Sequence, residues 1–575
     1  MRFKSSYKIL LVCLAMGILM VSCHRKKLLT KDEIISSPAD MDQQVSDDIE
    51  QVLAYALENN GKIDDSINLQ FSQVTDDFYA GNNYVNVWSH KEKWDPLADS
   101  LYNFIAQSRS YGLFPNDYHF QHLTTLKKRL DTDSASRTDA TLWTRADLML
   151  TDGFVHIMRD LKQGRFPQDS IELNKDSVLG NDFFADHLTQ ALTTGKLTAS
   201  LDSLQPSLVG YQQLKDQLKT FLDSMDTRRY TYLQYAPKSS AIDDSMAFLQ
   251  TIRQRLDEGH YINDSSKEPD STVLKTAIKS YQKEKGLKVD GKVSLKLIKS
   301  LNDNDVERFK RIAITMDKYK ILPDSMPVKY IWVNLPEFYM RVWDHDTVAI
   351  LSKIVCGKPT TRSPQLNGTI TNMVTYPTWT VPTSIIVKQY LPKLQKDPTY
   401  LSHLPGHIEL HLVDKHGNAV DPTKVHWKKY TKGIPYQMVQ GSGDDNALGV
   451  LKFNFNNKYA VYLHDTNERS LFNDSVRCLS HGCIRVQQWQ QLAFYILTND
   501  SLFVSKRPGG RVRYNIDSLE NILARKEKKT IYMYSRLPLF IRYYTCKAGD
   551  DGKIIFYDDM YGEDKYIRDK YFSKE

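Results

Sequence analysis

The spacing of apolar residues changes near residue 328, and this change limits the folds that the chain can adopt. Upstream, Leu97, Leu101 and Phe104 recur at intervals of three or four residues, which predicts a helix with one buried face. Downstream, residues 330–334 and 340–343 are rich in β-branched and aromatic residues and flank a Leu-Pro-Glu break, which predicts a β-hairpin. We therefore expect a multidomain α+β protein with a mostly helical N-terminal part and a β-rich C-terminal part.

The start of the chain is typical of a secretory signal. Residues 1–23 begin with basic residues and continue with an apolar run that is too short for an ordinary membrane-spanning helix. The run ends in LMVSC at residues 19–23, which resembles a relaxed bacterial lipobox with Cys23 as the lipidated residue. A simple signal peptide or an uncleaved anchor is the alternative. In each case we expect an exported protein, with residues 24–48 as a polar tether. A lipid anchor at Cys23 or an uncleaved signal segment would attach it to a membrane.

Two helical units are predicted before the change in period. Residues 49–239 form the larger unit, in which apolar stripes alternate with turn signals such as Gly-Leu-Phe-Pro. Residues 240–302 form a smaller module. In its second half, Gln282, Gly286-Leu287, Asp290-Gly291 and Leu301-Asn302 together resemble the peptidoglycan-binding domain 1 pattern. Ser294 and Leu297 stand where that pattern has Gly and Thr. Glycan binding and a structural docking role are therefore both left open for this module.

Composition excludes one class of partner and limits the disulfides that can form. The net charge of +7 is mild, Lys is mixed with Asp and Glu, and the sequence has no nucleic-acid-binding motif, so we expect no nucleic-acid partner. Six cysteines are too few for a disulfide framework in a chain of 575 residues. If Cys483 is catalytic it must stay free, which leaves at most one disulfide among Cys356, Cys478 and Cys546.

Two short segments carry the residues with catalytic potential. Residues 462–466 read YLHDT and residues 480–486 read SHGCIRV, so a histidine at the end of an apolar run precedes a cysteine in a tight turn. A cysteine thiolate is a nucleophile that needs a base or a positive field, which makes a Cys/His pair a minimal unit of covalent catalysis. Spacing alone leaves open a buried thiol beside unrelated histidines. A zinc site is not expected, since no C-x-x-C or H-x-x-x-H accompanies these residues.

These two segments resemble the signature of the L,D-transpeptidase catalytic domain of the YkuD type. Asn-Ala-Leu-Gly at residues 446–449 extends the resemblance to the large YcbB-like subgroup of periplasmic enzymes. It implies a catalytic domain at residues 328–545, a lid inserted over the active site at about residues 378–445, and a C-terminal tail at residues 546–575. An ordinary long loop is the alternative for the insertion, although loops of this length are often functional lids.

The resemblance assigns Cys483 as the nucleophile and His464 as its general base. By spacing alone His481 also remains a candidate, because it lies two residues from the cysteine. In the family, the backbone carbonyl after the base, here that of Asp465, fixes the tautomer of the imidazole. The other residues expected at the site are Gly482 and Tyr462 at the oxyanion hole, His481 beside it, and Arg485, Ser480 and Asn446 near the substrate.

Three of these assignments have structural alternatives. Arg485 could hold a substrate carboxylate through two parallel hydrogen bonds, but it could equally belong to a structural ion pair. Ser480 and Asn446 are typical turn-forming residues. Their presence in the signature does not separate a contact with substrate from a local backbone role.

The implied reaction is acyl transfer between peptidoglycan stem peptides, which are expected as donor and acceptor. The cysteine would form a thioester with a tetrapeptide stem, release D-Ala and pass the acyl group to an amine, giving a 3→3 crosslink. An L,D-carboxypeptidase, a D-amino-acid exchange enzyme and a non-catalytic wall-binding lipoprotein are the alternatives. The resemblance also implies acylation by carbapenems, and it implies neither a metal nor an organic cofactor.

Overall fold

The computed structural model describes residues 26–165, 179–235, 245–262, 271–404 and 409–572. The predicted signal, with Cys23, lies outside these residues. Within them, no helix is both long enough and apolar enough to cross a bilayer.

The part of the chain before residue 328 is helical, as predicted. Its helices are α1 (Pro38–Glu58), α2 (Ser72–Gly81), α3 (Pro96–Ala106), α4 (Phe120–Thr132), α5 (Ser134–Arg137), α6 (Ala140–Gln163), α7 (Asn181–Thr194), α8 (Leu197–Asp202), α9 (Val209–Ser224), α10 (Met246–Glu258), α11 (Ser271–Glu284), α12 (Leu295–Asn302) and α13 (Asp305–Tyr319). A small hairpin, β1 (Ser89–His90) and β2 (Lys93–Trp94), precedes α3. Single 3-10 turns lie at Ser108–Tyr111 and Pro115–Tyr118.

Helix α6 is the centre of the large helical unit, and α1, α2, α3 and α7 pack around it. Asp139 caps its first turn by accepting a hydrogen bond of 3.0 Å from the backbone N–H of Thr141. The helix is buried on nearly all sides, so its charged groups need internal partners. Asp147, for example, accepts hydrogen bonds from the Tyr79 hydroxyl at 2.6 Å and from the backbone N–H of Val87 at 3.0 Å.

The helical unit begins earlier than predicted, because residues assigned to the tether pack into its core. Leu29 is fully buried, and α1 starts at Pro38 instead of following residue 48. Met41 and Val45 continue the same buried stripe as Ile49. These residues recur at helical spacing, so the polar composition of residues 24–48 concealed the start of an amphipathic helix.

The small module also differs at its boundary. Its core joins α10, α11 and α12 to Leu233, which the prediction placed in the larger unit. The Asn302 side chain accepts from the backbone N–H of Leu233 and donates to its carbonyl, both at 2.9 Å. Residues near 233 therefore pack with the small module.

The part after residue 328 is β-rich, which confirms the predicted fold class. Its strands are β3 (Lys329–Asn334), β4 (Tyr339–Asp344), β5 (Thr347–Gly357), β6 (Leu366–Thr375), β11 (Leu451–Phe455), β12 (Leu463–His464), β13 (Cys478–Ser480), β14 (Ile484–Val486) and β15 (Lys529–Arg542). The predicted hairpin is confirmed, since β3 and β4 pair antiparallel from Lys329 opposite Asp344 to Asn334 opposite Tyr339.

In the described part of the chain these strands form one closed sheet. The order is β13-β5-β14-β12-β11-β6-β15-β3-β4, and β4 also pairs with β5, which closes the sheet into a barrel with β13 attached to β5. Most pairs are antiparallel, but β12 runs parallel to β14, β13 to β5 and β15 to β3. Helices α16 (Trp489–Ser505) and α17 (Ile516–Ala524) follow β14, and α16 packs against β15.

The insertion predicted as a lid is a folded subdomain with its own sheet and core. Strands β7 (Trp379–Thr380), β8 (Leu410–Val413), β9 (Ala419–Val420) and β10 (Gln437–Gln440) pair in the order β7-β10-β8-β9. A helical segment consists of α14 (Thr383–Ile385), a π turn (Ile386–Tyr390) and α15 (Leu391–Leu394), and 3-10 turns lie at Tyr400–His403, Pro422–Lys424 and Trp427–Lys429. Apolar side chains such as Leu394, Leu412 and Trp427 fill the space between these elements.

The segment predicted as a C-terminal tail is packed into the molecule. It contains the hairpin β16 (Cys546–Ala548) and β17 (Ile554–Phe556) and helix α18 (Glu563–Tyr571), which packs on α13. Lys318 on α13 is almost fully buried and binds Glu563, Asp564 and the backbone carbonyl of Tyr543, each at 2.9 Å. A buried ammonium with three acceptors ties the helical part, the barrel and the C-terminal helix together.

Substitution of Lys318 by Met should loosen α18 strongly. It leaves the buried carboxylate of Asp564 without its cation, a change that typically costs about 3–5 kcal/mol. We expect amide hydrogen exchange in α18 to accelerate by about 10²–10³-fold. The matched control is Lys299→Met, which removes a part-exposed pair with Asp558 and should change exchange less than about tenfold. Equal effects of the two substitutions would contradict this account of Lys318.

Candidate active site

The two residues predicted as nucleophile and base lie at the parallel contact between β12 and β14. The register places Leu463 opposite Ile484 and His464 opposite Arg485. Leu463 and Ile484 are both buried in the apolar core of the barrel domain. Since side chains alternate along a strand, His464 and Arg485 project from the opposite face.

The same register brings the cysteine to this face. Cys483 immediately precedes Ile484, so it lies level with Tyr462 and diagonal to His464. The ring of Tyr462 contacts the imidazole of His464, with 5.6 Å between ring centroids. On the next strand, Lys452 pairs with His464, and its ammonium lies 3.8 Å from the centre of the Tyr462 ring. The arrangement brings together the predicted pair, Tyr462 and one cation.

The turn that carries Cys483 is held by its own serine. Ser480 Oγ donates to the carbonyl of Cys483 at 2.6 Å and accepts from the backbone N–H of Gly482 at 3.1 Å. Gly482 has a φ of 122°, in a region that side chains rarely allow. Ser480 and Gly482 therefore set the backbone geometry on which the cysteine sits.

A second ring of contacts braces this turn from β5 and the C-terminal segment. Ser363 Oγ donates to the carbonyl of Gly482 at 2.7 Å and accepts from the backbone N–H of Gly357 at 2.9 Å. Tyr561 donates its hydroxyl to the carbonyl of Gly357 at 2.7 Å. Sequence reasoning missed Ser363, since no local pattern connects it to a turn more than a hundred residues away.

His464 is buried, and its imidazole is held in the neutral form. Its Nδ1 lies 2.5 Å from the backbone carbonyl of Asp465, and only an N–H can donate to a carbonyl, so the lone pair is on Nε2. Burial and the Arg485 guanidinium lower the pKa of His464 to about 3, although the Asp465 and Leu448 carbonyls favour the protonated ring. At neutral pH the imidazole is uncharged and able to accept a proton.

The carboxylate of Asp465 makes different contacts from its backbone carbonyl. Its carboxylate accepts hydrogen bonds from the backbone N–H of Val450 at 3.0 Å and from Arg469 at 3.1 Å. A Cβ on Gly449 would lie 2.3 Å from this carboxylate, so the turn before β11 requires glycine there. The carboxylate thus shapes the Asn446–Gly449 turn, while the carbonyl orients the imidazole.

The thiol is also neutral in the resting site. Burial raises the pKa of the Cys483 thiol, and the backbone N–H and hydroxyl of Tyr462, with the Lys452 and Arg485 cations, oppose this rise. Burial in turn lowers the pKa of the Lys452 ammonium, which a thiolate at Cys483 would raise. Sequence reasoning gave Lys452 no role at the site. Its proximity to His464 follows from the pairing of β11 with β12, which the sequence does not reveal.

The contacts of His481 disfavour it as the general base. Its Nε2 lies 2.5 Å from the Nε2 amide nitrogen of Gln389 in the inserted subdomain, and a nitrogen that accepts from an amide N–H must carry a lone pair. Burial and the positive charges of Lys358, Arg485 and Lys388 lower the pKa of His481, so it too is neutral. The inserted subdomain makes a second contact, where the Trp379 side chain faces the Tyr462 hydroxyl.

Three other predicted residues are already engaged. Arg485 pairs with Glu468 at 2.5 Å, and the arginine is mostly buried whereas the glutamate is mostly exposed. Asn446 is buried and holds the turn of residues 441–448, donating to the carbonyl of Gly441 at 2.7 Å and accepting from the N–H of Leu448 at 2.8 Å. Ser480 is engaged in its own turn, as described above. Asn446 and Ser480 thus perform the turn-forming role that the sequence also allowed.

The predicted oxyanion hole is only partly free. The N–H of Gly482 is occupied by Ser480 Oγ. Among the described residues, the N–H of Cys483 has no such acceptor, and the Tyr462 hydroxyl lies close to the cysteine. No group of three or more His, Cys, Asp or Glu in the described ranges is arranged to hold a metal ion.

Comparisons with known proteins agree with this architecture. Residues 73–218 match a family model described as a scaffold domain, and residues 328–505 match the L,D-transpeptidase catalytic domain. A Haemophilus influenzae protein named "Putative L,D-transpeptidase" is 31% identical over 257 residues, which cover 45% of this chain and 48% of that protein. The chain thus spans about half the length of the curated relative that it matches.

Two solved structures overlap weakly with the chain. The Ldtfm-avibactam carbamoyl enzyme is 14% identical with a TM-score of 0.16, and the overlap covers 49% of this chain and 84% of that one. A mutant L,D-transpeptidase of Enterococcus faecium is 13% identical with a TM-score of 0.15, and the overlap covers 50% of this chain and 88% of that one.

The neutral state of both groups predicts how Cys483 reacts with iodoacetamide. Because burial raises the pKa of the thiol, the rate should keep rising through pH 9, as the thiolate fraction grows. Mass spectrometry of the Cys483 peptide after timed alkylation measures this rate. Lys452→Met should lower the rate at a given pH, because it removes a cation that favours the thiolate. A rate that reaches a plateau below pH 7 would show a preformed thiolate and contradict the prediction.

Proposed function

Because residues 328–505 belong to the family of L,D-transpeptidase catalytic domains, we propose that this chain is a peptidoglycan L,D-transpeptidase with Cys483 as nucleophile and His464 as general base. The observation that carries the proposal is the register of β12 and β14, which sets the two residues on one face of adjacent strands. The substrate class, donor and acceptor stem peptides of the cell wall, comes from the family.

The first half-reaction begins with two neutral groups. The Sγ of Cys483 attacks the carbonyl carbon of the third residue of a tetrapeptide stem as its proton passes to Nε2 of His464. The Nδ1–H donates to the carbonyl of Asp465 throughout, which keeps Nε2 as the accepting atom and stabilises the imidazolium that forms. A base whose pKa lies low is uncharged at neutral pH, so no proton must leave it before the attack.

The tetrahedral intermediate places a negative charge on the former carbonyl oxygen. We assign its stabilisation to the N–H of Cys483 and the hydroxyl of Tyr462, because the N–H of Gly482 is held by Ser480. The Lys452 ammonium lies against the Tyr462 ring and favours negative charge nearby. When the intermediate collapses, the C–N bond to D-Ala breaks, His464 returns its proton to the departing amine, and a thioester remains.

The second half-reaction reverses these roles with a new amine. A side-chain amine of a neighbouring stem attacks the thioester and His464 takes its proton. The C–S bond then breaks, and His464 passes that proton to the sulfur, which regenerates the thiol and the neutral imidazole. The product is a 3→3 crosslink. Arg485 could bind a stem carboxylate in place of Glu468, whose exposed side chain can turn into solvent.

The lid decides between an amine and water as the acceptor. Its Gln389 and Trp379 contact His481 and Tyr462, so the lid covers the site from the side of the catalytic turn. A closed site excludes water and favours crosslinking, whereas a leaky site would give a carboxypeptidase or an exchange enzyme. Export to the periplasm and attachment through a lipid at Cys23 complete the proposal, and carbapenems would acylate the same cysteine.

The roles of the pair are tested with disaccharide-tetrapeptide and mass spectrometry of the products. Cys483→Ala should abolish dimer formation, and His464→Gln should reduce it by about 10²–10⁴-fold, because the thiol then lacks its base. The matched control is His481→Gln, whose side chain can still hydrogen-bond to the amide of Gln389. It should reduce dimer formation by less than about tenfold. If His481→Gln were as inactive as His464→Gln, the assignment of the base would be wrong.

Loosening the lid should change the products more than the rate of thioester formation. We expect Gln389→Ala to raise the ratio of tripeptide to dimer several-fold, since water then reaches the thioester. Lys415→Ala, on an exposed turn of the lid, serves as the control and should leave the ratio unchanged. If the ratio of tripeptide to dimer were unaltered in both variants, the contact of Gln389 with His481 would not influence the choice of acceptor.

A further inference from the structure

Two cysteines outside the catalytic pair lie opposite each other on neighbouring strands. Strand β13 runs parallel to β5, and the register pairs Cys478 with Cys356, ahead of an irregularity between Cys478 and Ser480. We propose that these residues form a disulfide under oxidising conditions, and that the bond fixes β13 and the catalytic turn while leaving Cys483 free. The inference concerns the scaffold of the site and does not depend on the proposed reaction.

The geometry of a parallel ladder suits this bond. Neighbouring strands lie about 4.8 Å apart, and a disulfide needs Cα atoms about 4.4–6.8 Å apart. Residues at the same level of two parallel strands project from the same face of the sheet. Cys356 is a member of the barrel core, and Cys478 packs against that same core, so the two side chains enter one apolar cluster.

The remaining cysteines are placed less favourably. Cys546 belongs to a different core, formed by α9, α13 and the C-terminal helix. Cys483 also packs against the barrel core, but it ends the turn that begins at Ser480 and lies beside Tyr462, outside the ladder positions that pair with β5. All four cysteines in the described ranges are free thiols in this structure. The pair of Cys356 and Cys478 is therefore the one that ladder register brings together.

The bond would act on the strand that precedes the nucleophile. Strand β13 is short, and in the sheet it pairs with β5 alone. The backbone carbonyl of Ser480, at its end, accepts from the N–H of Lys358 at 2.9 Å and from Thr361 Oγ1 at 3.1 Å. A covalent link at Cys478 would hold this edge and close a loop of roughly 120 residues that contains the lid and His464, which lowers the entropy of the unfolded chain.

Formation of the bond requires an oxidant, and a small disulfide such as oxidised glutathione suffices. Cys478, which is half-buried, attacks one sulfur of the reagent as a thiolate, and the first glutathione thiol leaves. The thiolate of Cys356 then attacks the Cys478 sulfur and releases the second glutathione. Two protein thiols lose two electrons and two protons, and one reagent disulfide becomes two thiols.

The test is a disulfide map of the full chain after incubation with oxidised glutathione. The protein is denatured with iodoacetamide present and digested, and its peptides are identified by mass spectrometry. We expect one peptide pair linked through Cys356 and Cys478, with Cys483 and Cys546 alkylated. The link should persist in Cys546→Ser, the matched control, and should be absent in Cys356→Ser and Cys478→Ser.

Thermal unfolding supplies a second readout. The oxidised parent should melt at least about 5 °C higher than the reduced parent, and Cys478→Ser should show no such difference. Alkylation of both Cys356 and Cys478 in the oxidised parent, or a link from Cys478 to Cys483, would overturn the proposal. Because the map is read on the parent protein, this outcome stands even if a serine variant fails to fold.

Discussion

The parallel pairing of β12 with β14 is the constraint on which the rest of the site depends. It sets Leu463 and Ile484 into the core and leaves His464 and the cysteine on the opposite face. Because side chains alternate with a period of two, a slip of one residue would turn the imidazole into the apolar core and move an isoleucine to the polar face of the site. The cost of placing an imidazole among apolar side chains protects the alignment of the proposed base and nucleophile. Closure of the barrel through β4 and β5 fixes both strands in this register.

Burial then decides the chemical state of the pair. An apolar setting disfavours charge on both partners, so the pKa of His464 falls and that of Cys483 rises. In the proposed reaction, attack by the thiol and proton transfer to the imidazole are therefore coupled to arrival of the substrate. Two polar groups partly offset the cost of charge in this apolar setting. The Asp465 carbonyl accepts a hydrogen bond from the imidazole, and the Lys452 ammonium lies beside the Tyr462 ring. A neutral resting pair would also be less exposed to chance alkylation or oxidation than a thiolate.

The fold class could be predicted from a change in hydrophobic period, and the Cys/His pair is a prediction from two short segments typical of a family. Sequence reasoning missed Ser363 and Lys452, whose roles arise from contacts across strands far apart in the chain. It also placed the start of the helical unit too late, since the apolar stripe from Met41 onward is diluted by polar neighbours. Conversely, the signature offered Ser480 and Asn446 as substrate contacts, and local hydrogen bonding engages both in turns.

The central claim is that His464 is a neutral base with its proton on Nδ1 in the resting enzyme. Nitrogen NMR of protein labelled with ¹⁵N-histidine tests this directly, with the His464→Gln variant used to assign the signal. The account predicts a resonance pair typical of the Nδ1–H tautomer that does not titrate between pH 5 and pH 9. An imidazolium signal at pH 6 to 7 that disappears in Cys483→Ala would instead show a thiolate–imidazolium pair and contradict the account.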